Sequence, residues 1–315
     1  MNPTEARALA ERIRGAVHTA VVGREVAVDQ VLTALVADGH ILLEDLPGLG
    51  KTLIAKSFAS ALGLGFQRVQ FTADLLPHDI TGGEIIDPKE GFAFRRGPIF
   101  TNVLLADEIN RAPPKVQSAL LEAMQEYQVT SERSTYPLLR PFLVLATENP
   151  LELEGTYPLP EAQVDRFLLR LQIGYPTVEE ERAILERRRA RKVENVEVPA
   201  VAGATTFLGL QGAVEEITLD ASLTDYIVQL VRATRNDARA EVGASPRGSL
   251  ALQKLSRARA LLDGRDFVIP DDVKSYAVPA LAHRMIVKPE PWIRGVRGAD
   301  IVKSALDATA VPKVR

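Results

Sequence analysis

A glycine-rich segment, Leu46 to Thr52, carries residue types that can bind phosphate. Its glycines let backbone N–H groups close around phosphate oxygens, while Lys51 supplies a positive charge and Thr52 a hydroxyl that can ligate magnesium. An apolar run precedes it at Ile41 to Leu43 and a helical pattern follows at Leu53 to Leu62, which predicts strand, loop and helix. The nucleotide-binding residues predicted here are Pro47, Gly48, Leu49, Gly50, Lys51, Thr52 and Leu53.

One position departs from the full phosphate-loop pattern G-x-x-x-x-G-K-[ST]. Asp45 stands where the first glycine is expected. The entry turn must therefore tolerate a side chain, and that side chain brings a negative charge close to phosphate. Whether the loop keeps its phosphate-binding shape depends on how Asp45 is held.

Two acidic residues and an asparagine follow later apolar runs. The run Val103 to Ala106 ends in Asp107 and Glu108, and the run Phe142 to Ala146 leads into Asn149. Ligands of open α/β sheets bind at the carboxyl ends of the strands. Asp107 can hold magnesium, and Glu108 can orient and deprotonate a water for attack on a γ-phosphate. Asn149 can share that water, although an Asp-Glu pair or an Asn before proline often has only a structural role.

Two arginines in separate parts of the chain can supply positive charge for phosphoryl transfer. Arg166 stands just before the run Phe167 to Ile173, and Arg247 follows Ser245-Pro246. Most surface arginines are solvated, but a phosphate loop in the same chain makes both candidates for stabilising charge on a γ-phosphate. The predicted catalytic residues are Glu108, Asn149, Arg166 and Arg247, and the predicted magnesium ligands are Thr52 and Asp107.

The elements that must position these residues form an α/β pattern from residue 1 to 176. Apolar runs alternate with amphipathic stretches, as expected of a parallel sheet flanked by helices. Pro113 and Pro114 begin a helix between the third and fourth strands. Residues 72–98 and 128–141 interrupt the alternation and are predicted insertions. The predicted strands are Ile41–Leu43, Val69–Phe71, Val103–Ala106, Phe142–Ala146 and Phe167–Ile173.

A second domain is predicted at residues 177–315. Thr177 and Glu180 form a capping-box pattern that begins a long helix. The remainder has mainly helical periodicity, with breaks near residues 243–248 and 269–270. The sequence therefore predicts an α/β core followed by a smaller all-α domain.

Composition limits the classes of function. The 315 residues are 46% hydrophobic and 25% charged, which is typical of a soluble globular protein. The 38 basic and 41 acidic residues leave a net charge of −3, so no overall basic field favours nucleic acid or membrane. No cysteine is present, which excludes disulfides and thiolate metal sites. The apolar runs are too short to span a bilayer and the amino terminus lacks a secretory pattern, so a cytoplasmic protein without a membrane segment is expected.

Five motifs in order resemble the MoxR family of AAA+ ATPases. They are EDLPGLGKT, LLADEINRAPPKVQSALLEAMQE, LATENP, PEAQVDRF and GASPRGSLAL, and the similarity covers nearly the whole chain. The resemblance implies an AAA+ P-loop αβα core with a helical lid, and ATP with magnesium bound between subunits of a homo-oligomer, in hexameric or similar rings. It assigns Lys51 and Thr52 to Walker A, Asp107 and Glu108 to Walker B, Asn149 to sensor 1, Arg166 to the arginine finger and Arg247 to sensor 2.

The same resemblance suggests partners and further site features. It places Gly23 in a turn near the adenine, residues 72–98 in a helix-2 insert, and residues 128–141 in a hairpin before sensor 1. It also implies chaperone-like remodelling, maturation or cofactor loading of protein complexes, often with a von Willebrand factor A domain partner. The client protein is not named by the sequence, and whether Arg247 acts on its own subunit's ATP or on a neighbour's stays open.

Other interpretations compete with this one. A ring-forming nucleic-acid translocase is the main alternative, but the chain lacks interleaved basic and aromatic residues for stacking bases. A non-hydrolysing nucleotide-dependent scaffold is disfavoured because Asp107, Glu108 and Asn149, the residues expected to hold magnesium and the attacking water, are all present. The basic run Arg187 to Lys192 follows the acids Glu179 to Glu181 on one predicted helix, so we interpret it as complementing the helix dipole. The four histidines share no metal-ligand spacing.

Overall fold

The computed structural model describes residues 1–87, 91–131, 134–150 and 155–312. Parts of the two predicted insertions, residues 88–90 and 132–133, and the last three residues of the predicted second domain lie outside the described residues. The strands are β1 (Ile41–Glu44), β2 (Phe66–Gln70), β3 (Gly82–Asp87), β4 (Gly91–Arg96), β5 (Val103–Asp107), β6 (Gln128–Thr130), β7 (Thr135–Pro137), β8 (Leu143–Glu148), β9 (Leu169–Leu171), β10 (Ala240–Val242) and β11 (Ile286–Val287).

Helices account for most of the remaining described structure. Short 3₁₀ turns at Ile109–Arg111 and Ala282–Arg284 supplement them. The helices are α1 (Pro3–His18), α2 (Glu25–Val36), α3 (Lys51–Ala61), α4 (Pro77–Thr81), α5 (Pro114–Glu126), α6 (Glu161–Val164), α7 (Val178–Arg191), α8 (Ala204–Val214), α9 (Ala221–Asn236), α10 (Pro246–Leu262), α11 (Pro270–Leu281), α12 (Pro289–Ile293) and α13 (Gly298–Ala308).

A parallel sheet of five strands forms the centre of the core, in the order β2-β5-β8-β1-β9. The inner strands β1, β5 and β8 are apolar because both faces of the sheet are covered. The predicted α/β fold is thus confirmed. The edge strand β2 begins at Phe66, earlier than the predicted Val69, because its residues Gln67 and Arg68 are exposed and interrupt the apolar pattern that marks the other strands.

Two layers of side chains cover the sheet. One hydrophobic cluster contains Ile41 and Leu43 of β1 together with α1, α2 and α3, and it continues without a break into α8, α9, α10 and α11. The second contains Leu42 of β1, α5 and residues beside the insertions. Alternation along β1 therefore divides the strand between the two layers. The carboxyl-terminal helices share their core with the amino-terminal ones.

Polar contacts reinforce the junction between α2 and the carboxyl-terminal helices. Asp29 on α2 accepts from Arg14 at 2.5 Å and from Arg259 on α10 at 2.6 Å. The buried Tyr276 hydroxyl on α11 lies 2.7 Å from the Thr33 hydroxyl on α2. These contacts hold the helices α10 and α11 of the lid against α2 of the core.

The lid differs in one detail from the predicted all-α domain. Its helices are joined by a short antiparallel pair, β10 with β11. Three-residue and two-residue strands leave no periodicity that a sequence pattern would reveal. Among the described residues, no helix is both long and apolar enough to cross a bilayer.

An antiparallel hairpin lies in each of the two segments predicted as insertions. β3 pairs with β4, and β6 pairs with β7. The hairpins contact one another, because Phe94 of β4 stacks on Tyr136 of β7 with ring centroids 3.9 Å apart. The two insertions therefore form one connected surface.

Candidate active site

The glycine-rich segment connects β1 to the first turn of α3. Gly48 and Gly50 have φ angles of 80° and 87°, a region that residues with a side chain rarely adopt. Gly50 is the residue before the helix, and Lys51 begins it. Backbone N–H groups at this helix start, together with the helix dipole, favour an anion. A pocket of about 500 Å³ opens beside Gly48 and Gly50, bounded on its other sides by residues near Val22 and by α7.

Asp45 resolves the departure from the phosphate-loop pattern. Its φ is negative, so its backbone does not need glycine. Its carboxylate accepts the N–H groups of Ile173 and Gly174 at 2.6 Å each and that of Leu46 at 2.9 Å. The side chain therefore ties the start of the loop to the chain that follows β9.

Lys51 is held between two strand ends. Its ammonium donates to the carbonyls of Asp45 and Glu148. Asp45 directly follows β1, and Glu148 is the last residue of β8. Burial lowers the pKa of Lys51, while the nearby carboxylates Asp45, Asp107 and Glu108 counteract this effect. A partly buried ammonium in this position is ready to contact phosphate oxygens as a point charge.

Asp107 and Glu108 lie at the carboxyl end of β5, as predicted. Asp107 is buried, accepts from the Thr147 hydroxyl at 2.6 Å and pairs with Arg68 at 2.7 Å. The Glu108 carboxylate accepts from Gln70 at 2.6 Å and from Arg111 at 3.0 Å. Glu108 is thus held by neighbours in this conformation of the protein.

The sequence interpretation missed Arg68, Gln70, Arg111 and Thr147. Arg68 and Gln70 come from the edge strand β2, whose polar residues lie beside Asp107 only because β2 pairs with β5. Their alternation at i and i+2 on a strand neighbouring the acids is a signal that could have indicated them, since such residues share one face. Thr147 stands two residues before Asn149 and could have been found from its place at the end of β8.

Asn149 follows β8 and is buried. Because β8 lies between β5 and β1, Asn149 is brought to the same sheet edge as the acids and the phosphate loop. The preceding Glu148 lies beside Glu44 of β1 and near Arg170 of β9. Burial, and next the charge of Glu44, raise the pKa of Glu148 to about 7.

The structure brings Arg166 and Arg247 together, but away from the phosphate loop of their own chain. Both line a pocket of about 270 Å³ that also contains Asp38 and His40, which precede β1. The loop follows the other end of β1, and a four-residue strand spans about 13 Å. Neither arginine lines the pocket beside the loop.

Asp165 organises this arginine pocket. It accepts from the Ser245 hydroxyl at 3.2 Å and faces Arg247 at 3.6 Å, and it pairs with the buried Arg284. The Nε atom of Arg166 is buried and makes no hydrogen bond. Three guanidinium groups therefore line the pocket, those of Arg166, Arg247 and Arg284.

Gly23, predicted near the adenine, has a different immediate neighbour. Its φ is 65°, and a Cβ atom there would lie 1.9 Å from the Glu180 carboxylate of α7. Glu180 completes the predicted capping box with Thr177 and also accepts the Arg24 N–H at 3.2 Å. Gly23 thus shapes the turn between α1 and α2 and lets α7 approach, while the flanking Val22 and Arg24 line the pocket itself.

Thr52 and Asp107 fit a magnesium ion by the chemistry of their oxygen atoms. Magnesium prefers hard oxygen ligands and is usually held by one or two protein groups with phosphate and water. Within the part of the chain that the structure describes, no group of three or more His, Cys, Asp or Glu is arranged to hold a metal by itself. The Asp107 oxygens retain lone pairs beyond their bonds to Arg68 and Thr147.

Comparison with known proteins identifies the family. Residues 40–169 match the ATPase family associated with various cellular activities (AAA), and residues 232–305 match the AAA lid domain. The chain is 43% identical over 304 residues to Chaperone MoxR1 of Mycobacterium tuberculosis, which covers 93% of this chain and 80% of that relative. The chain belongs to the MoxR family of AAA+ ATPases.

Two further proteins are similar to this chain over nearly its full length. The uncharacterized protein YeaC of Bacillus subtilis is 46% identical over 301 residues, covering 95% of this chain and 93% of YeaC. A crystal structure of a "putative ATPase" from Cytophaga hutchinsonii has a TM-score of 0.92 at 40% identity, covering 99% of this chain and 97% of that one. The predicted MoxR resemblance and the predicted ATPase activity are confirmed at the level of the family.

Proposed function

We propose that this MoxR-family chain hydrolyses ATP at a site completed by a second copy of itself and uses the cycle to remodel a partner protein. The observation that carries the proposal is the separation of the arginine pocket from the phosphate loop within one chain. Arg166 and Arg247 lie together near the start of β1, whereas the phosphate loop follows the carboxyl end of that strand. They are therefore positioned to reach a nucleotide only on a neighbouring subunit. A head-to-tail contact of this kind closes into a ring when its rotation permits.

Within one chain, the sheet edge supplies the groups for phosphoryl transfer. Lys51 and the N–H groups at the start of α3 hold the β and γ phosphates. Glu108 accepts a proton from the attacking water. As it does so, the water oxygen bonds to the γ-phosphorus, and the bond from that phosphorus to the oxygen bridging the β and γ phosphates breaks. Asn149 orients this water. Glu108 must first leave Gln70 and Arg111, which now hold its carboxylate.

Thr52 and Asp107 would hold magnesium, which neutralises the charge that develops on the phosphate oxygens. The neighbour's Arg166 would contribute a positive charge to the γ-phosphate, and Arg247, which lines the same pocket, would contribute a second. Asp165 faces Arg247 at 3.6 Å and so holds it in the pocket that Arg166 also lines.

The client is proposed to be a protein complex. The relative named Chaperone MoxR1 supports a chaperone-like role, and the resemblance adds a von Willebrand factor A domain protein as the expected partner. The hairpins β3–β4 and β6–β7, which are joined by the stacking of Phe94 on Tyr136, offer a surface for a client. A hexamer is the expected ring, and a cytoplasmic location the expected compartment.

Mixing two inactive variants tests the composite site. Lys51→Ala removes the phosphate contact but keeps both arginines, whereas Arg166→Ala keeps the loop but removes one arginine. Each variant alone should have little turnover. Their equimolar mixture should regain about a quarter of wild-type turnover, since that fraction of neighbouring pairs joins an intact loop to an intact arginine. ATPase rate across a range of total protein concentration is the measurement.

Two controls make the mixing experiment decisive. The double variant Lys51→Ala/Arg166→Ala mixed with either single variant should stay inactive, because it supplies neither an intact loop nor an intact arginine. Mixtures with no recovered turnover, despite assembly seen by light scattering, would contradict a site shared between copies. Stimulation of turnover by DNA or RNA would instead favour the translocase alternative.

A further inference from the structure

Helix α7 forms a basic wall opposite the phosphate loop. The pocket of about 500 Å³ has Gly48, Leu49 and Gly50 on one side and Arg187, Arg188 and Arg191 on the other. Sequence spacing alone had suggested that these arginines merely complement the dipole of α7. Their position in the pocket gives them a second role to consider.

Local contacts hold the arginines in place. Arg188 donates to the Glu194 carboxylate at 2.8 and 3.3 Å, and Arg191 donates to the carbonyls of Val193 and Glu194 at 2.9 and 3.2 Å. These bonds use only some of the five N–H donors that each guanidinium carries. Arg188 and Arg191 are both half-buried, unlike the neighbouring Arg189. Their side chains are therefore restrained beside the pocket with donors to spare.

The charge of the pocket favours an anion. Among the described residues that line it, the only acid is Glu194, against four arginines. One of these, Arg24, is committed to the carbonyls of Ile173 and Tyr175. The lining therefore carries a net charge of +3, and Arg187, Arg188 and Arg191 lie across the pocket from the glycines of the loop.

We propose that Arg188 and Arg191 bind the phosphates of the nucleotide held by the same chain. They are three residues apart on α7 and so share one side of the helix. In this position they supply from within the chain the positive charge that Arg247 is too distant to give. The inference rests on the proposed binding of nucleotide at the Lys51 loop, and it assigns to α7 a part in holding the charged end of that nucleotide.

Binding of ATP, ADP and adenosine to single and double alanine variants tests this role. A hydrogen bond to a charged group contributes about 1.5–3 kcal/mol, so each of Arg188→Ala and Arg191→Ala should weaken ATP and ADP about tenfold or more. Adenosine carries no phosphate, and its affinity should change less than about twofold. Titration calorimetry with each of the three compounds gives these affinities.

Matched controls are available on the same helix. Arg182 and Arg189 are exposed and lie outside the pocket lining, so Arg182→Ala and Arg189→Ala remove the same charge from α7 without removing a contact. Because no residue of α7 is buried, alanine leaves the core intact. Circular dichroism of each variant should match that of the wild type.

The outcomes separate this inference from the function on which it rests. Unchanged ATP affinity in Arg188→Ala/Arg191→Ala, an equal loss of adenosine affinity, or an equal loss in the control variants would overturn the role proposed for α7. Wild-type binding that is abolished by Lys51→Ala would meanwhile uphold the loop as the nucleotide site. If Lys51→Ala has no effect on ATP binding, the proposed nucleotide site fails and this inference fails with it.

Discussion

Asp45 stands at a position where the full phosphate-loop pattern has glycine, and its carboxylate joins two parts of the chain. It receives two backbone N–H groups from Ile173 and Gly174, beyond β9. A buried N–H without a partner costs about 1–3 kcal/mol. The departure from the pattern is therefore a stabilising contact that leaves the glycines nearer Lys51 unchanged.

Asp45→Gly restores the full sequence pattern and should nevertheless harm the protein. The free energy of unfolding should fall by about 3 kcal/mol, because two N–H groups lose a charged acceptor and glycine adds freedom to the unfolded chain. Asp45→Asn keeps one acceptor oxygen and should lose less. Urea denaturation measures both variants. Equal or greater stability of Asp45→Gly would show that the carboxylate contributes nothing here.

Glu148 predicts a dependence of stability on pH. Its pKa, about 7 in the folded protein, lies above the ordinary value of 4.5, so between these values the folded state holds a proton that the unfolded chain releases. Stability should therefore fall as pH rises through this window. Glu148→Gln removes the titrating group, and its stability relative to wild type should be greater at pH 8 than at pH 5 by about 1–3 kcal/mol.

Denaturation of Glu148→Gln and wild type at a series of pH values makes this comparison. Other titrating groups, such as the buried His40, are present in both proteins and cancel in the difference. Glu122→Gln, at an exposed position of α5, is the control for loss of one negative charge. Stability curves of Glu148→Gln and wild type that stay parallel from pH 5 to pH 8 would exclude the expected titration.

Residues within one motif were predictable, whereas their partners were not. Lys51, Thr52, Asp107, Glu108 and Asn149 belong to short patterns, and pairing of parallel strands was enough to bring them to one edge. Arg68 and Gln70, by contrast, contact the acids only through the pairing of β2 with β5, and no local spacing records that pairing. Their contacts are long-range in the chain.

At the scale of elements, α7 and the turn at Gly23 act as a unit. Gly23→Ala places a Cβ against Glu180 and forces alanine into a left-handed φ, so the start of α7 must move. We expect a loss of about 1–2 kcal/mol in stability and a several-fold loss in ATP affinity. Denaturation and calorimetry give the two quantities.

The cause of the Gly23 effect can be tested by a second substitution. In a Glu180→Ala background the clash is absent, so Gly23→Ala should cost only the φ strain, about 1 kcal/mol. Gly15 is the matched control, because a Cβ there meets nothing within 4 Å on α1 and Gly15→Ala should be neutral or stabilising. An undiminished cost of Gly23→Ala in the Glu180→Ala background would rule out the contact as the cause.

Element boundaries followed from the sequence where both faces were apolar or a cap was present. The capping box at Thr177 and the proline start of α5 lie where they were predicted. The acids of the first turn of α7 and the bases of its last turn lie where they were predicted, but helix periodicity indicates which residues share a face and not what that face opposes. Only the folded chain shows that it opposes the phosphate loop.

At the scale of the whole molecule, the position of the lid decides whether Arg247 can reach the phosphate loop of its own chain. The sequence predicted the lid but left open where Arg247 acts, since that depends on how α10 packs against α1 and α2. The shared core and the contacts of Asp29 hold the lid against α1 and α2, on the face of the sheet to which Ile41 and Leu43 belong. Nucleotide-driven motion is then expected between subunits, because closing the lid within one chain would break this core.

The continuous core of α1, α2 and α8–α11 also bears on how such proteins can diversify. A lid whose apolar side chains interdigitate with Ile13 and Leu32 cannot be exchanged for a relative's lid by recombination near residue 177 alone, since the two halves of the interface would no longer match. The segments that form this core, α1 and α2 together with α8–α11, must be inherited together although they are separated in the sequence. They join the first helices to the last third of the chain and do not include the hairpins between them.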